Sequence, residues 1–369
     1  MKFNDLDLLN KKFLKKVQPK INKIFLENNF IFGKEVVKLE KKLSKYTSNR
    51  YCVTVGSGTD ALLICLLSLK LNKEDEIIIP SFSWLSVIEV VLLSGAKAVF
   101  LETNKDTFNL DPNYLEKKIN HKTKAIITTS LFGRTADLIK INKICKKNKI
   151  IHIEDAAQNF GSRIEGKNSC SIADMTCVSF FPSKNLGCFG DGGAIFTNSS
   201  KREKTFKLLR NHGQNSYANA KYIGLNSRIG TLQAGIILEK LKHINEQINL
   251  QIKIYSSYQK FFNKENIIGF PLVKKNDQNA YSHFNIIVKK RKIFEFYLDK
   301  FKIPYKIYYP KALYKQYGVK TIFRCSETEK ICKNIISLPF NFISIKRHAK
   351  ILSVLKKIIN IDERIFEKK

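Results

Sequence analysis

The chain has 369 residues, of which 44% are hydrophobic, enough for a sizeable core and for two or three domains, or one large domain with a smaller companion. Sixty-five Lys+Arg against 32 Asp+Glu leave a net charge of +33, yet the lysines are spread through K-K-F-L-K-K, K-L-E-K-K, K-K-N-K and K-K-R-K. They line no single helix or loop, so the charge reads as a solvated surface and not as a nucleic-acid footprint. Such a surface still attracts an anionic small molecule.

No apolar run nears the roughly 20 residues of a membrane helix, and the run at 87–93 is broken by Glu89. The start, M-K-F-N-D-L-D-L-L-N-K-K, has early acids and no secretory pattern, so a cytoplasmic location is expected. Eight cysteines include no C-x-x-C pair, and the closest are seven residues apart. Reduced, buried thiols are the ordinary reading, with no metal expected. Cys188, in a glycine-rich loop, is a candidate for an accessible thiol.

In chain order, Leu8, Phe13, Val17, Ile21 and Phe25 recur near helical spacing, and a second helix restarts after Gly33. Strands are then predicted at 51–55, 76–79, 96–101, 124–128, 150–153, 176–180 and 193–197. Helices are predicted between them at 59–69, 84–93 and 139–147. This alternation implies an α/β fold with a mostly parallel sheet, helices on both faces, and ligands at the strands' carboxyl ends. One long helix is predicted from Ile229 to about Phe262. A strand at 283–288, a helix at 293–301, an irregular segment at 303–310 and a final helix at 347–359 follow. The domain change is placed near residue 250, giving a large domain over 1–250 and a small one over 251–369.

Two motifs carry chemistry. I-I-H-I-E-D-A-A-Q ends a strand in Asp155, and V-S-F-F-P-S-K-N-L-G-C-F-G-D-G-G runs a strand into Lys184. A lysine and a carboxylate at strand ends suit pyridoxal phosphate: the amine holds the cofactor as a Schiff base and the acid keeps its ring nitrogen protonated. Pro182 and Gly187 flank Lys184 just past a buried strand, where desolvation lowers an amine pKa. Gln158 is placed to hydrogen-bond the ring oxygen. V-G-S-G-T-D-A follows a strand and opens a helix, so Gly56 and Gly58 allow a tight turn and the helix N-terminus faces a phosphate. Trp84, the only tryptophan, follows P-S-F-S and suits stacking on the cofactor ring, although core packing is its default role.

With these motifs the chain resembles the DegT/StrS family of pyridoxal-phosphate-dependent sugar-nucleotide aminotransferases. The resemblance extends through G-S-G-T-D-A-L, P-S-F-S-W, L-F-G-R-T-A-D, I-E-D-A-A-Q, S-F-F-P-S-K-N-L-G, G-D-G-G, R-N-H-G and N-S-R-I-G-T-L-Q-A. It implies the fold type I, aspartate aminotransferase-like architecture, with a small α+β C-terminal domain. It also implies that Lys184 carries the cofactor, that Asp155 pairs with the ring nitrogen, and that Gln158 and Trp84 contact the ring. Gly58, Thr59 and Ser179 would hold the phosphate. The family's homodimers share active sites, so Asn226 would reach the phosphate of the neighbouring subunit.

The amino donor implied is L-glutamate and the acceptor a keto sugar nucleotide. Within the family the motifs are most similar to the branch that aminates UDP-2-acetamido-2-deoxy-3-oxo-glucuronate, a step of surface polysaccharide biosynthesis. Arg228 would pair with that substrate's carboxylate, and Tyr308 and Tyr309 would contact it. Relatives usually show His-Tyr-Pro where this chain has Tyr308-Tyr309-Pro310. The nearest alternative is a 4-keto-6-deoxy sugar aminotransferase. A sugar dehydratase or a non-catalytic regulator that binds the same cofactor is a further alternative, and relatives that dehydrate carry histidine at the position of Lys184.

Overall fold

A computed structural model describes residues 2–367 apart from 266, 268, 270–276 and 320–323; side chains 8–10 and 12, including Leu8, also lie outside the description. Helices α1 (Leu6–Glu27) and α2 (Lys34–Thr47) come first. Phe13, Val17 and Ile24 of α1 and Val36, Leu39 and Leu43 of α2 are buried, the helical spacing expected of faces laid on a core.

Strands β1 (Tyr51–Val55), β2 (Glu76–Pro80), β3 (Lys97–Leu101), β4 (Thr123–Thr129) and β5 (Ile151–Asp155) follow, with helices α3 (Gly58–Leu67), α4 (Ser86–Leu93) and α5 (Leu138–Lys147) between them. A small hairpin, β6 (Arg163–Ile164) and β7 (Lys167–Asn168), leads to β8 (Met175–Ser179) and β9 (Gly193–Thr197). The seven-stranded sheet has the order β1-β9-β8-β5-β4-β2-β3. Every pairing is parallel except the two made by β9, which runs antiparallel to both β1 and β8. Ile77, Ile78 and Ile79 are fully buried, as a strand covered on both faces by helices requires.

After α6 (Ser200–Leu209) and the short hairpin β10 (Gln214–Ser216) and β11 (Asn219–Ala220) come α7 (Thr231–Leu241) and α8 (Ile244–Lys264). The single helix expected over 229–262 is therefore two. The last turn of α7 tightens through Lys242 N–H to Glu239 O (3.3 Å) and His243 N–H to Lys240 O (3.0 Å), so the chain changes direction without Pro or Gly. Ile244 and Ile248 pack with the sheet helices, whereas Ile254, Tyr255, Tyr258 and Phe262 enter a second core.

That second core lies between α8, the antiparallel pair β12 (Phe284–Ile287) and β13 (Ile335–Leu338), and helices α9 (Arg291–Lys300) and α11 (Ile345–Ile361). Helix α10 (Ser326–Asn334) precedes β13 directly. The pattern reading omitted α6, α10 and β13. Among the described residues, no helix is long and apolar enough to cross a membrane.

Candidate active site

The carboxyl ends of β2, β4, β5 and β8 open onto a cavity of about 340 Å³, whose lining includes Gly58, Thr59, Trp84, Asp155, Gln158, Ser179, Lys184, Tyr308 and Tyr309. Nine of the eleven residues singled out from sequence meet there. Asn226 and Arg228 do not line it in their own chain. One Arg228 amino group donates to Asn211 Oδ1 at 3.0 Å and the other to Asn226 Oδ1, and its guanidinium lies 5.9 Å from the centre of the Phe32 ring.

Asp155 ends β5, held in register between Thr129 of β4 and Cys177 of β8. Its Oδ1 accepts the Ala157 N–H at 3.0 Å. Burial raises its pKa, against the Ala157 hydrogen bond and the Lys184 charge, which lower it. Lys184 follows β8 in a turn closed by its own N–H to Phe181 O at 2.9 Å. The residue opens onto the cavity, but its amine is ringed by protein, and this desolvation lowers its pKa against the pull of Asp155. The carboxyl edge of the sheet thus sets a buried acid and a desolvated amine within each other's field.

At the other end of the cavity, α3 begins at Gly58. Ser57 caps it, its Oγ accepting the Asp60 N–H at 3.0 Å. The N–H groups of Gly58 and Thr59 belong to the unpaired first turn, where a helix binds anions. Gly58 packs against β8 so closely that a Cβ on it would lie 2.8 Å from Ser179 Cβ. This contact sets Ser179 beside the helix end. Thr59 Oγ1 lies 2.8 Å from Ser86 Oγ, which ties α3 to the start of α4.

Trp84 sits in the turn before α4 and not within it, half exposed, 5.8 Å from the Tyr309 ring centre. The Gln158 side chain is spanned: Oε1 accepts the Phe132 N–H and Nε2 donates to Tyr309 Oη, both at 2.8 Å. One Nε2 hydrogen is left for a ligand oxygen. The imidazole absent at position 308 is matched by another that reaches the cavity from His283, whose ring lies edge-on to Tyr308 at 4.9 Å. Sequence reasoning missed His283, along with Ser57, Phe181 and Asp191 of the lining; only A-Y-S-H at the head of a predicted strand marked it. Cys188 is buried, with Sγ 3.0 Å from both Phe180 O and Gly190 O, which corrects the reading of an accessible thiol.

The donors present fit pyridoxal phosphate. A helix N-terminus with two hydroxyls suits the phosphate, a buried carboxyl suits a cationic ring nitrogen, and an amine whose pKa is lowered by burial suits an aldehyde carbon. Asp155, Gln158, Trp84 and Lys184 would hold the ring end, and Gly58, Thr59 and Ser179 the phosphate end.

Aminotransferases are similar to this chain in sequence and build, and one solved structure among them holds the amino form of that cofactor, PMP. The UDP-2-acetamido-2-deoxy-3-oxo-D-glucuronate aminotransferase of Pseudomonas aeruginosa is 37% identical over 92% of this chain and 95% of its own. The dTDP-3-amino-3,6-dideoxy-alpha-D-galactopyranose transaminase of Aneurinibacillus thermoaerophilus is 33% identical over 92% and 94%. The crystal structure of NtdA from Bacillus subtilis with bound PMP superposes with a TM-score of 0.90 at 26% identity, covering 98% of this chain and 85% of that one. The sequence profile of the DegT/DnrJ/EryC1/StrS aminotransferases matches residues 12–349, and the chain belongs to that pyridoxal-phosphate-dependent family.

Proposed function

We propose that the protein moves the amino group of L-glutamate to the keto carbon of UDP-2-acetamido-2-deoxy-3-oxo-glucuronate, releasing 2-oxoglutarate and a 3-amino uronate sugar for surface polysaccharide. The observation that carries this is the Asp155–Lys184 pair facing the α3 N-terminus across one cavity, in a chain 37% identical to an aminotransferase of that substrate.

Pyridoxal phosphate, when bound, supplies a carbon that exchanges oxygen for nitrogen and a ring that takes up the electron pair left on the substrate carbon. Asp155 keeps the ring nitrogen protonated. Lys184, its pKa lowered by burial, carries a proton from the glutamate α-carbon in the first half and returns one to the sugar carbon in the second. Trp84 would cover the ring face.

Asn226 and Arg228 stand outside the cavity of their own chain, which supports a homodimer in which each serves the partner's site. Arg228, a planar donor pair already positioned by Asn211, would grip the uronate carboxylate. We place the reaction in the cytoplasm.

Visible absorption of the purified protein tests the reading. Glutamate should bleach the yellow cofactor form, and after its removal the 3-keto uronate alone should restore it. Recovery only with a dTDP-4-keto-6-deoxy sugar would move the substrate to the alternative branch. No yellow form with cofactor supplied would refute the reading.

A further inference from the structure

His283 comes from the C-terminal layer, one residue before β12, yet lines the cavity beside Lys184. Two aromatic neighbours fix its plane: the Tyr308 ring at 4.9 Å and 81°, and the Phe132 ring at 5.7 Å and 73°. Its Nδ1 lies 2.9 Å from Ser282 Oγ, which engages that nitrogen. Nε2 makes no hydrogen bond to a described residue. Burial, and after it the Lys184 charge, lowers the imidazole pKa to about 3, so the ring stays neutral at physiological pH.

These properties select among the molecules the cavity must admit. Glutamate offers carboxylates, which pair best with charged donors, and a neutral imidazole is a poor match for them. A sugar ring offers neutral hydroxyls, which a neutral imidazole matches as donor or acceptor. A nitrogen left unpaired when a ligand excludes water from it costs binding, so a ligand that fills the cavity must satisfy it.

We propose that His283 is a substrate-contacting residue, its Nε2 hydrogen-bonded to a hydroxyl of the sugar ring. This rests on the aminotransferase reading for the identity of the sugar, but its test separates the two. The probe is UDP-N-acetylglucosaminuronate, which carries a hydroxyl in place of the ketone and does not react, with binding read by calorimetry on the cofactor-loaded protein. His283→Phe keeps the edge contacts to Phe132 and Tyr308 and should weaken this binding roughly three- to tenfold, the effect of one neutral hydrogen bond. KM for the keto sugar should rise alike, while bleaching by glutamate stays within about twofold of wild type. His283→Gln, whose amide reaches the place of Nε2, should restore most of the affinity.

Unchanged binding in His283→Phe would overturn the proposal, as would an equal loss in His283→Gln or an equal slowing of the glutamate half. Absence of bleaching in the wild type would instead sink the aminotransferase reading, with the calorimetric comparison still deciding the role of His283.

Discussion

Gly193→Ala tests whether the phosphate end of the cavity is held by backbone packing. Gly193 opens β9 and pairs with the ends of two strands at once, Val55 of β1 and Ser179 of β8. A Cβ there would lie 2.4 Å from Ser57 O, 2.5 Å from Ser57 C and 2.9 Å from Gly58 N. All three are backbone atoms of the turn that starts α3, so no side chain can swing aside. Even the close carbon–oxygen contacts within sheets sit at roughly 3.3 Å, so the α3 N-terminus must retreat by about 0.9 Å.

Overpacking of this kind costs about 1–3 kcal/mol of stability. A retreat of that size forfeits at least one charge-assisted hydrogen bond to a phosphate, about 1.5–3 kcal/mol, or roughly 10- to 150-fold in Kd. The assay is titration of the cofactor-free protein with pyridoxal phosphate, read by absorbance, beside a thermal melt. Gly190→Ala, in the same loop, is the control: the atoms nearest its Cβ would belong to the Gln233 side chain, at 3.4 Å and beyond, and it should leave both readings near wild type. If Gly193→Ala binds the cofactor as tightly as wild type and melts at the same temperature, the turn is not clamped as argued.

Lys184→Ala should lose the yellow form and roughly 10²–10⁴-fold or more of turnover, and normal turnover would refute its role. Asn226→Ala should also be impaired, but mixing it with Lys184→Ala should regain activity, since a hybrid dimer keeps one site with both residues; no regain would exclude sharing. Arg228→Ala should lower kcat/KM for the 3-keto uronate by roughly 10- to 150-fold through one charge-assisted pair, and equal loss on a neutral keto sugar would remove the carboxylate role. Burial raises the Glu154 pKa to about 7 against hydrogen bonds from Ser130, Asn159 and Thr176. The native state therefore binds a proton that the unfolded chain releases near its ordinary value, and stability is lost as pH rises from about 4.5 to 7. Relative to Glu154→Gln, the wild type should lose on the order of 3 kcal/mol across that window in denaturant melts; parallel pH profiles would refute it.

The sheet and its cofactor residues were legible because both are local in sequence. A buried strand announces itself by its apolar run, and the residue that ends it is exposed to whatever the carboxyl edge binds. Asp155 is legible this way and Lys184 from the glycine-rich loop that follows such a strand, whereas the role given to Ser179 comes with the family resemblance. Trp84 shows the margin of error: the pattern extends the helix back to residue 84, but Trp84 stands just before it, since one aromatic residue ahead of V-I-E-V-V fits either. The break between α7 and α8 left no mark, because Leu241, Lys242, His243 and Ile244 continue an acceptable helical pattern and only tertiary packing bends the chain there.

Contacts made across long stretches of chain are a different kind of problem. Gln158 is oriented by Phe132, 26 residues away, and by Tyr309, 151 residues away. His283 is set by Phe132 and Tyr308 and lies near Lys184, so its meaning depends on how the C-terminal layer docks against the sheet. No periodicity or motif records that docking. Asn226 and Arg228 go one step further: they bond each other and do not line the cavity of their own chain, so the role proposed for them needs a second copy. The chemistry of the cofactor is thus written along one sheet edge, where a single sequence can be read. The proposed contacts to the sugar lie where separate parts of the chain converge, which no local pattern records.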